Sequence, residues 1–223
     1  MHQTSLENVL RMRGELSLTG DQDLFGNVDK KETPLFYEGD LSLIKEPSVA
    51  IIGSRDVTDA SLEAAEYLTS ELIQLGFVIV SGLAKGVDAK AHRTALKNVG
   101  KTVAVIGTPL DVTYPAEHAE LQHEIARDHL LLSQFAIGTR TFPSNFPRRN
   151  KTMAAISSGS LVIQAGEGSG TLHQLKECSR LKKPIFIFDQ IIEQGFEWPK
   201  KYLKLPFVHV ISCGKDVKEA FDA

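Results

Sequence analysis

From Ser48 onward, short apolar runs alternate with segments whose apolar positions recur every three to four residues. Val49–Ile52, Phe77–Val80, Thr102–Ile106, Leu130–Ser133, Leu161–Ala165, Pro184–Phe188 and Val208–Ile211 are of strand length and lack polar alternation. Strands buried on both faces of a sheet read this way. Between them, helical spacing predicts helices over Thr58–Leu75, Val87–Val99, Pro115–Arg127, Pro147–Ser157, Thr171–Leu181 and Asp216–Phe221, with Gly76 and Gly100 closing the first two. Alternation of strand and helix implies right-handed crossovers. The expected fold is therefore α/β: a doubly wound, mostly parallel sheet with helices on both faces.

The first 34 residues break the pattern. Leu6–Leu16 has the spacing of a short helix, and Asp21–Pro34, rich in charge and turn formers, reads as a connector. The expected organisation is a weakly organised lead-in over 1–34 and one Rossmann-like domain over 35–223.

Composition narrows the class. With 223 residues, 42 % hydrophobic and 24 % charged, the chain fits one large globular domain and excludes disordered, collagen-like and coiled-coil readings. Lys plus Arg is 25 against 28 for Asp plus Glu, a formal charge of −3. No global basic field announces a nucleic acid, so a site for one must be a local patch. Cys178 and Cys213 lie far apart and read as reduced thiols. No secretory segment is evident, and no apolar stretch approaches the roughly 20 residues of a spanning helix. A cytoplasmic protein without membrane association is expected.

In open parallel sheets, ligands gather at the carboxyl ends of the strands, so the turns after the strands carry the chemistry. The first is Gly53-Ser54-Arg55, combining close backbone approach, a hydroxyl and a planar cation suited to phosphate. The second runs Ser81-Gly82-Leu83-Ala84-Lys85-Gly86-Val87-Asp88 from strand into helix, where backbone N–H groups are placed to meet an anion. Gly107-Thr108-Pro109 and Gly166-Glu167-Gly168-Ser169-Gly170-Thr171 follow later strands. Each turn alone is equally well a tight connection; four in register make a phosphate-friendly edge. The chain has neither G-x-G-x-x-G after its first strand nor a G-x-x-x-x-G-K-[ST] loop, which argues against dinucleotide binding and P-loop chemistry.

From His129 to Gly166 run 38 residues without Asp or Glu, holding Arg140, Arg148, Arg149 and Lys151 among Phe142, Pro143, Phe146 and Pro147. Cations interleaved with aromatic rings suit a single strand, charge for phosphates and π-faces for bases. A solvated basic face with aromatic core plugs is the plainer alternative. Asp88 and His92, four apart on one helix face, read as a cap and a supporting hydrogen bond before an acid–base pair. Glu167 and Glu177 flank the last glycine turn, where ordinary helix-end charges explain them. The histidines show no metal spacing, and no nucleophile elbow occurs. The residues describe a phosphate-binding α/β protein with no evident catalytic set, metal or cofactor.

Taken in order, the motifs resemble the DNA-processing protein A (DprA/Smf) family. Leu35-Phe36-Tyr37-Glu38-Gly39-Asp40 with Val49–Arg55 is similar to its lead-in and first strand. Ser81–His92 matches a second hallmark, Tyr114-Pro115 follows, Phe146-Pro147-Arg148-Arg149-Asn150-Lys151 is similar to its F-P-x-R-N-R element, and Ser169-Gly170-Thr171-Leu172 to its S-G-[ST]-L turn. The resemblance implies a non-enzymatic single-stranded DNA-binding protein that protects the strand and helps a RecA-type recombinase load in DNA uptake or recombination, usually as a homodimer. It places Gly53, Ser54 and Arg55 on backbone phosphate, Ser81, Gly82 and Gly86 around the same pocket, and Arg149, Asn150 and Lys151 along the strand's path. Ser169, Gly170 and Thr171 complete the implied site.

The chain also departs from the family pattern. Lys151 replaces the second arginine of R-N-R, keeping charge without the fork, and Gln134 and Gln164 stand where glutamate is usual. About 35 residues follow Phe188, too few for the winged-helix module many members carry. The alternative is a nucleotide sensor or phosphoribohydrolase, because Gly168–Thr171 is also similar to the phosphate turn of the LOG/lysine-decarboxylase-like proteins. Gln174 falls near the position of their glutamate, leaving N-glycosidic hydrolysis without its charge stabiliser.

Overall fold

The computed structural model describes residues 1–15 and 33–223. Among these residues nine strands, beginning with β1 (His2–Ser5) and β2 (Pro34–Gly39), form one sheet in the order β1-β2-β6-β5-β4-β3-β7-β8-β9. The seven strands anticipated from the apolar runs are β3 (Ser48–Gly53), β4 (Val78–Ser81), β5 (Thr102–Ile106), β6 (Leu130–Ser133), β7 (Gly159–Gln164), β8 (Ile185–Phe188) and β9 (Val208–Ile211). All pair in parallel. β4, β5, β6 and β8 are buried along their whole length, the burial that uninterrupted apolar runs require.

The crossover helices α2 (Asp59–Gln74), α3 (Val87–Lys97), α4 (Ala119–Asp128), α5 (Asn145–Ile156) and α6 (Thr171–Leu181) follow the expected spans. In α2 the Thr58 hydroxyl accepts from Ser61 N (3.2 Å). The helix buries Ser61, Ala64, Ala65, Leu68 and Leu72, an i, i+3, i+4, i+7 stripe. Gly76 at φ +84° follows it, a backbone state that favours glycine. α2 packs with α3 and with the terminal helix α9 (Gly214–Asp222) on one face, where α4 shares a small core with α3. α5 and α6 pack together on the other face, beside α1 (Leu6–Met12).

The chain winds outward from β3 to β6, then returns across the sheet to β7, which pairs with the opposite edge of β3. The β3–β7 register shifts between Ile52 and Gly53, at the carboxyl ends of both strands. This is the topological switch point, where open α/β sheets form their ligand crevice.

The amino-terminal segment joins the same sheet. β1 (His2–Ser5) pairs antiparallel with β2 (Pro34–Gly39), and β2 pairs antiparallel with β6. Leu6, Val9 and Leu10 lie in the main core. Arg13 donates to Ile44 O (2.7 Å), and Glu15 accepts from Lys183 Nζ (2.7 Å). Residues 2–15 thus belong to the domain: an i, i+3, i+4 apolar triplet needs only a neighbouring face to become core. The anticipated helix ends at Met12; the connector lies outside the described residues except Thr33, whose carbonyl accepts from Leu6 N (2.9 Å), and Pro34. Short helices α7 (Asp189–Glu193) and α8 (Trp198–Tyr202), anchored by buried Ile191 and Trp198, were not anticipated. Among the described residues, no helix is long and apolar enough to cross a membrane.

Candidate functional site

A cleft of about 390 Å³ opens at the switch point. Gly53, Ser54 and Arg55 form one wall, Ser169, Gly170, Thr171 and Gln174 the other, with Phe146, Arg149 and Asn150 of α5 and Ala84 and Asp88 also lining it. Ser54 N donates to Gln164 O (2.9 Å), closing the base between β3 and β7. Asn150 spans the cleft mouth: Oδ1 accepts from Arg149 Nε (2.8 Å) and Nδ2 reaches Gly170 O (3.4 Å).

The glycines of the first two turns make room for the protein itself. A Cβ on Gly53 would meet Val87 Cγ2 at 2.4 Å, and one on Gly82 would meet Arg149 Nη1 at 2.0 Å. Gly86, at φ +76°, packs so closely on the β3 turn that a Cβ would lie 2.5 Å from Ser54 O. Gly166, Gly168 and Gly170 are different: nothing lies within 4 Å of an added Cβ. Their turn leads into α6, where Ser169 Oγ accepts from Thr171 N (3.2 Å). An open turn at the start of an eleven-residue helix offers an anion both space and the positive end of the helix dipole.

Arg149 is buried. Its Nη1 donates to the carbonyls of Gly82 and of Val105 (2.8 Å), tying α5 to the ends of β4 and β5. Burial pushes its pKa down, while the Asp88 carboxylate opposes that shift. Asp88 is pushed up by burial against the pull of Arg149, and Ala84 N donates to its Oδ2 (3.4 Å). His92 points elsewhere, with Nδ1 on Thr102 Oγ1 (2.7 Å). Thr102 Oγ1 spends its proton on Ile79 O (2.9 Å), so His92 must donate through Nδ1, and burial lowers its pKa to about 3. Asp88 and His92 therefore serve separate partners and form no acid–base pair, and the N-cap of α3 is Gly86, without a side-chain hydrogen bond.

The remaining anticipated residues divide. Arg55 is exposed, its guanidinium 5.6 Å from the Phe146 ring centroid. Ser81 Oγ donates to Ile51 O (2.7 Å) inside the sheet, away from the cleft lining, and exposed Lys151 lies outside that lining too. Glu177 accepts from Arg180 (2.6 Å), and Glu167 from Glu197 N (2.6 Å) and Trp198 N (3.2 Å). Two further participants, Gln174 and Tyr114, were noted in the sequence without being assigned to the site. Gln174, wholly buried, lines the cleft with one amide nitrogen on Ser160 Oγ (3.0 Å) and Oε1 unpartnered. Tyr114, 52 % exposed, sets its ring 5.4 Å from Phe146. Its signal was present, an aromatic just beyond a glycine turn, but only the fold shows that the two rings meet. Arg140 over Phe142 (5.5 Å) and Arg148 over Phe135 (5.3 Å) extend this cation–aromatic surface.

The fold and cleft define a Rossmann-like protein whose switch point carries a glycine-edged, arginine-flanked ligand site. A family model, DNA recombination-mediator protein A, matches residues 23–215, and the chain belongs to that family. It is similar to the DNA processing protein DprA of Streptococcus pneumoniae, at 38 % identity over 188 residues, covering 84 % of this chain and 66 % of that protein. An X-ray structure of that DprA superposes with a TM-score of 0.77 at 38 % identity, covering 83 % of this chain and 65 % of that one. DNA processing protein A of Helicobacter pylori, solved for its single-stranded DNA binding mode, superposes with a TM-score of 0.71 at 28 % identity, over 92 % of this chain and 94 % of that one. The chain thus spans just under two thirds of the pneumococcal protein's length.

Proposed function

We propose that this protein binds single-stranded DNA at the switch-point cleft and acts in DNA uptake or recombination, protecting the strand and assisting a RecA-type recombinase as a homodimer. The observation that carries the reading is the juxtaposition, across one cleft, of exposed Arg55 with Ser169 and Gly170, the helix-starting end of the open glycine turn. Phosphate would sit between them, while Phe146, Tyr114 and Phe142 present rings beside arginines for bases to stack on. The H. pylori relative's printed description as a single-stranded DNA binder supports the same ligand class.

The protein acts in this reading by binding and not by catalysis. Gln174 supplies an amide where hydrolysis of an N-glycosidic bond needs a carboxylate, and Glu167 and Glu177 are engaged elsewhere. Fluorescence anisotropy with labelled oligo-dT and a matching duplex, across a salt series, tests the proposal. Preference for the single strand with affinity falling as salt rises is expected, the log–log slope giving the number of phosphates engaged. Equal affinity for duplex, or no binding at low salt, refutes it. Light scattering with and without the oligonucleotide tests the homodimer, and recombinase filament assembly on coated strand tests the partner.

A further inference from the structure

The turn between β4 and α3 is held from below at two successive carbonyls. Gly82 O accepts from Arg149, and Leu83 O accepts from His118 Nδ1 (2.9 Å). His118 is buried and precedes α4, far from the cleft-lining residues in sequence. Leu83 adopts φ +58°, a left-handed conformation that disfavours any residue with a Cβ. Its side chain is fully buried in the small core with Leu121 and Ile125 of α4, and the His118 hydrogen bond holds its carbonyl as well.

We propose that His118 is a positioning residue for the ligand cleft. The peptide joining Leu83 to Ala84 is planar, so fixing the Leu83 carbonyl also fixes the direction of the Ala84 N–H. That N–H donates to Asp88 Oδ2 (3.4 Å), and both Ala84 and Asp88 line the cleft. His118 therefore acts through one peptide plane on the buried Asp88 carboxyl group in this wall of the cleft. With the plane held, Asp88 is occupied by a backbone donor and its repulsion of phosphate is reduced. With the plane free, the carboxyl turns to the cleft. The neighbouring Lys85–Glu117 pair (2.9 Å) joins the same two segments, but both side chains are more than half exposed. A pair so exposed holds the turn weakly.

The inference rests on the single-stranded DNA reading, and its test separates the two. His118→Phe keeps a ring while removing the donor, and His118→Asn restores an N–H of similar reach. Binding to a labelled oligo-dT is measured well below the melting temperature of each variant, alongside hydrogen exchange of the 82–90 segment. His118→Phe is expected to weaken binding about tenfold and to speed exchange at Ala84, while His118→Asn stays within about threefold of wild type. Adding Asp88→Asn to His118→Phe should recover most of the lost affinity, which a merely structural role would not produce. Wild-type affinity in His118→Phe, or an equal loss in His118→Asn, overturns the proposal while leaving DNA binding intact. Failure of both His118→Phe and His118→Ala to fold also overturns it, by making His118 a core residue only. If wild type itself ignores the oligonucleotide, the DNA reading falls and the cleft role falls with it.

Discussion

The turns after β3 and β4 and the turn after β7 share a composition of glycine and serine, yet they are built for different occupants. At Gly53, Gly82 and Gly86 the missing side chain is replaced by Val87, by Arg149 and by the Ser54 carbonyl. At Gly166, Gly168 and Gly170 it is replaced by nothing. The first pair of turns is a packed scaffold, and the last is an open rim. Glycine content alone reports that two things approach closely; it does not report whether the second is protein or ligand.

The sharpest way to break this comparison is at Arg149. If it belongs to the scaffold, Arg149→Met loses about 3 kcal/mol of folding stability, because two buried carbonyls and Asp88 lose their partner. Urea denaturation measures it, and a variant as stable as wild type would return Arg149 to the ligand. Gly86→Ala should follow at about 2–3 kcal/mol, from a positive φ and a clash with backbone. Gly170→Ala, at φ −58° in open space, should stay within about 0.5 kcal/mol of wild type yet weaken oligo-dT binding. Equal stability losses in the two glycine variants would erase the distinction.

A pH effect tests the scaffold more finely. His92 has a folded pKa near 3 against about 6.5 unfolded, so below pH 6.5 the unfolded chain binds the extra proton. Stability is therefore lost as pH falls, by about 2 kcal/mol from this group between pH 7 and pH 5. The raised pKa of Asp88 acts in the opposite direction, so the contribution is read as the difference between wild type and His92→Asn. In NMR the His92 ring should remain the neutral Nδ1–H tautomer to pH 4.5; titration near pH 6.5 would contradict the buried bond to Thr102.

At exposed side chains beside the cleft, in contrast, effects should appear in binding and spare the fold. Arg55→Ala is expected to lose about tenfold in affinity with an unchanged urea midpoint. Tyr114→Ala should cost less, about threefold, because a half-exposed ring contributes only one stacking face. Affinity unchanged in both variants would move the ligand away from this rim.

Much of this molecule was legible as a string. Runs such as Val103–Ile106 have no polar interruption, and only burial on both faces accommodates that, so strands, crossovers and the ligand-bearing edge followed. Arg55 and the Ser169–Thr171 turn were likewise marked by residue type and by position after a strand. The β1–β2 end of the sheet was not, because both strands are short and mixed in polarity, and the partner of β2, β6, is remote in sequence. Arg149 and Ser81 show the same gap at the site. A donor beside a glycine turn reads identically whether it faces phosphate or a neighbouring carbonyl.

Local pattern therefore determined what each segment is: its periodicity states how many of its faces must leave water, and that is a property of the segment alone. Only the tertiary structure decided what each polar group is for. Hydrogen-bond donors and acceptors are satisfied across elements, by His118 on Leu83, Arg149 on Gly82 and Gln174 on Ser160, and those partners meet only when the sheet is assembled.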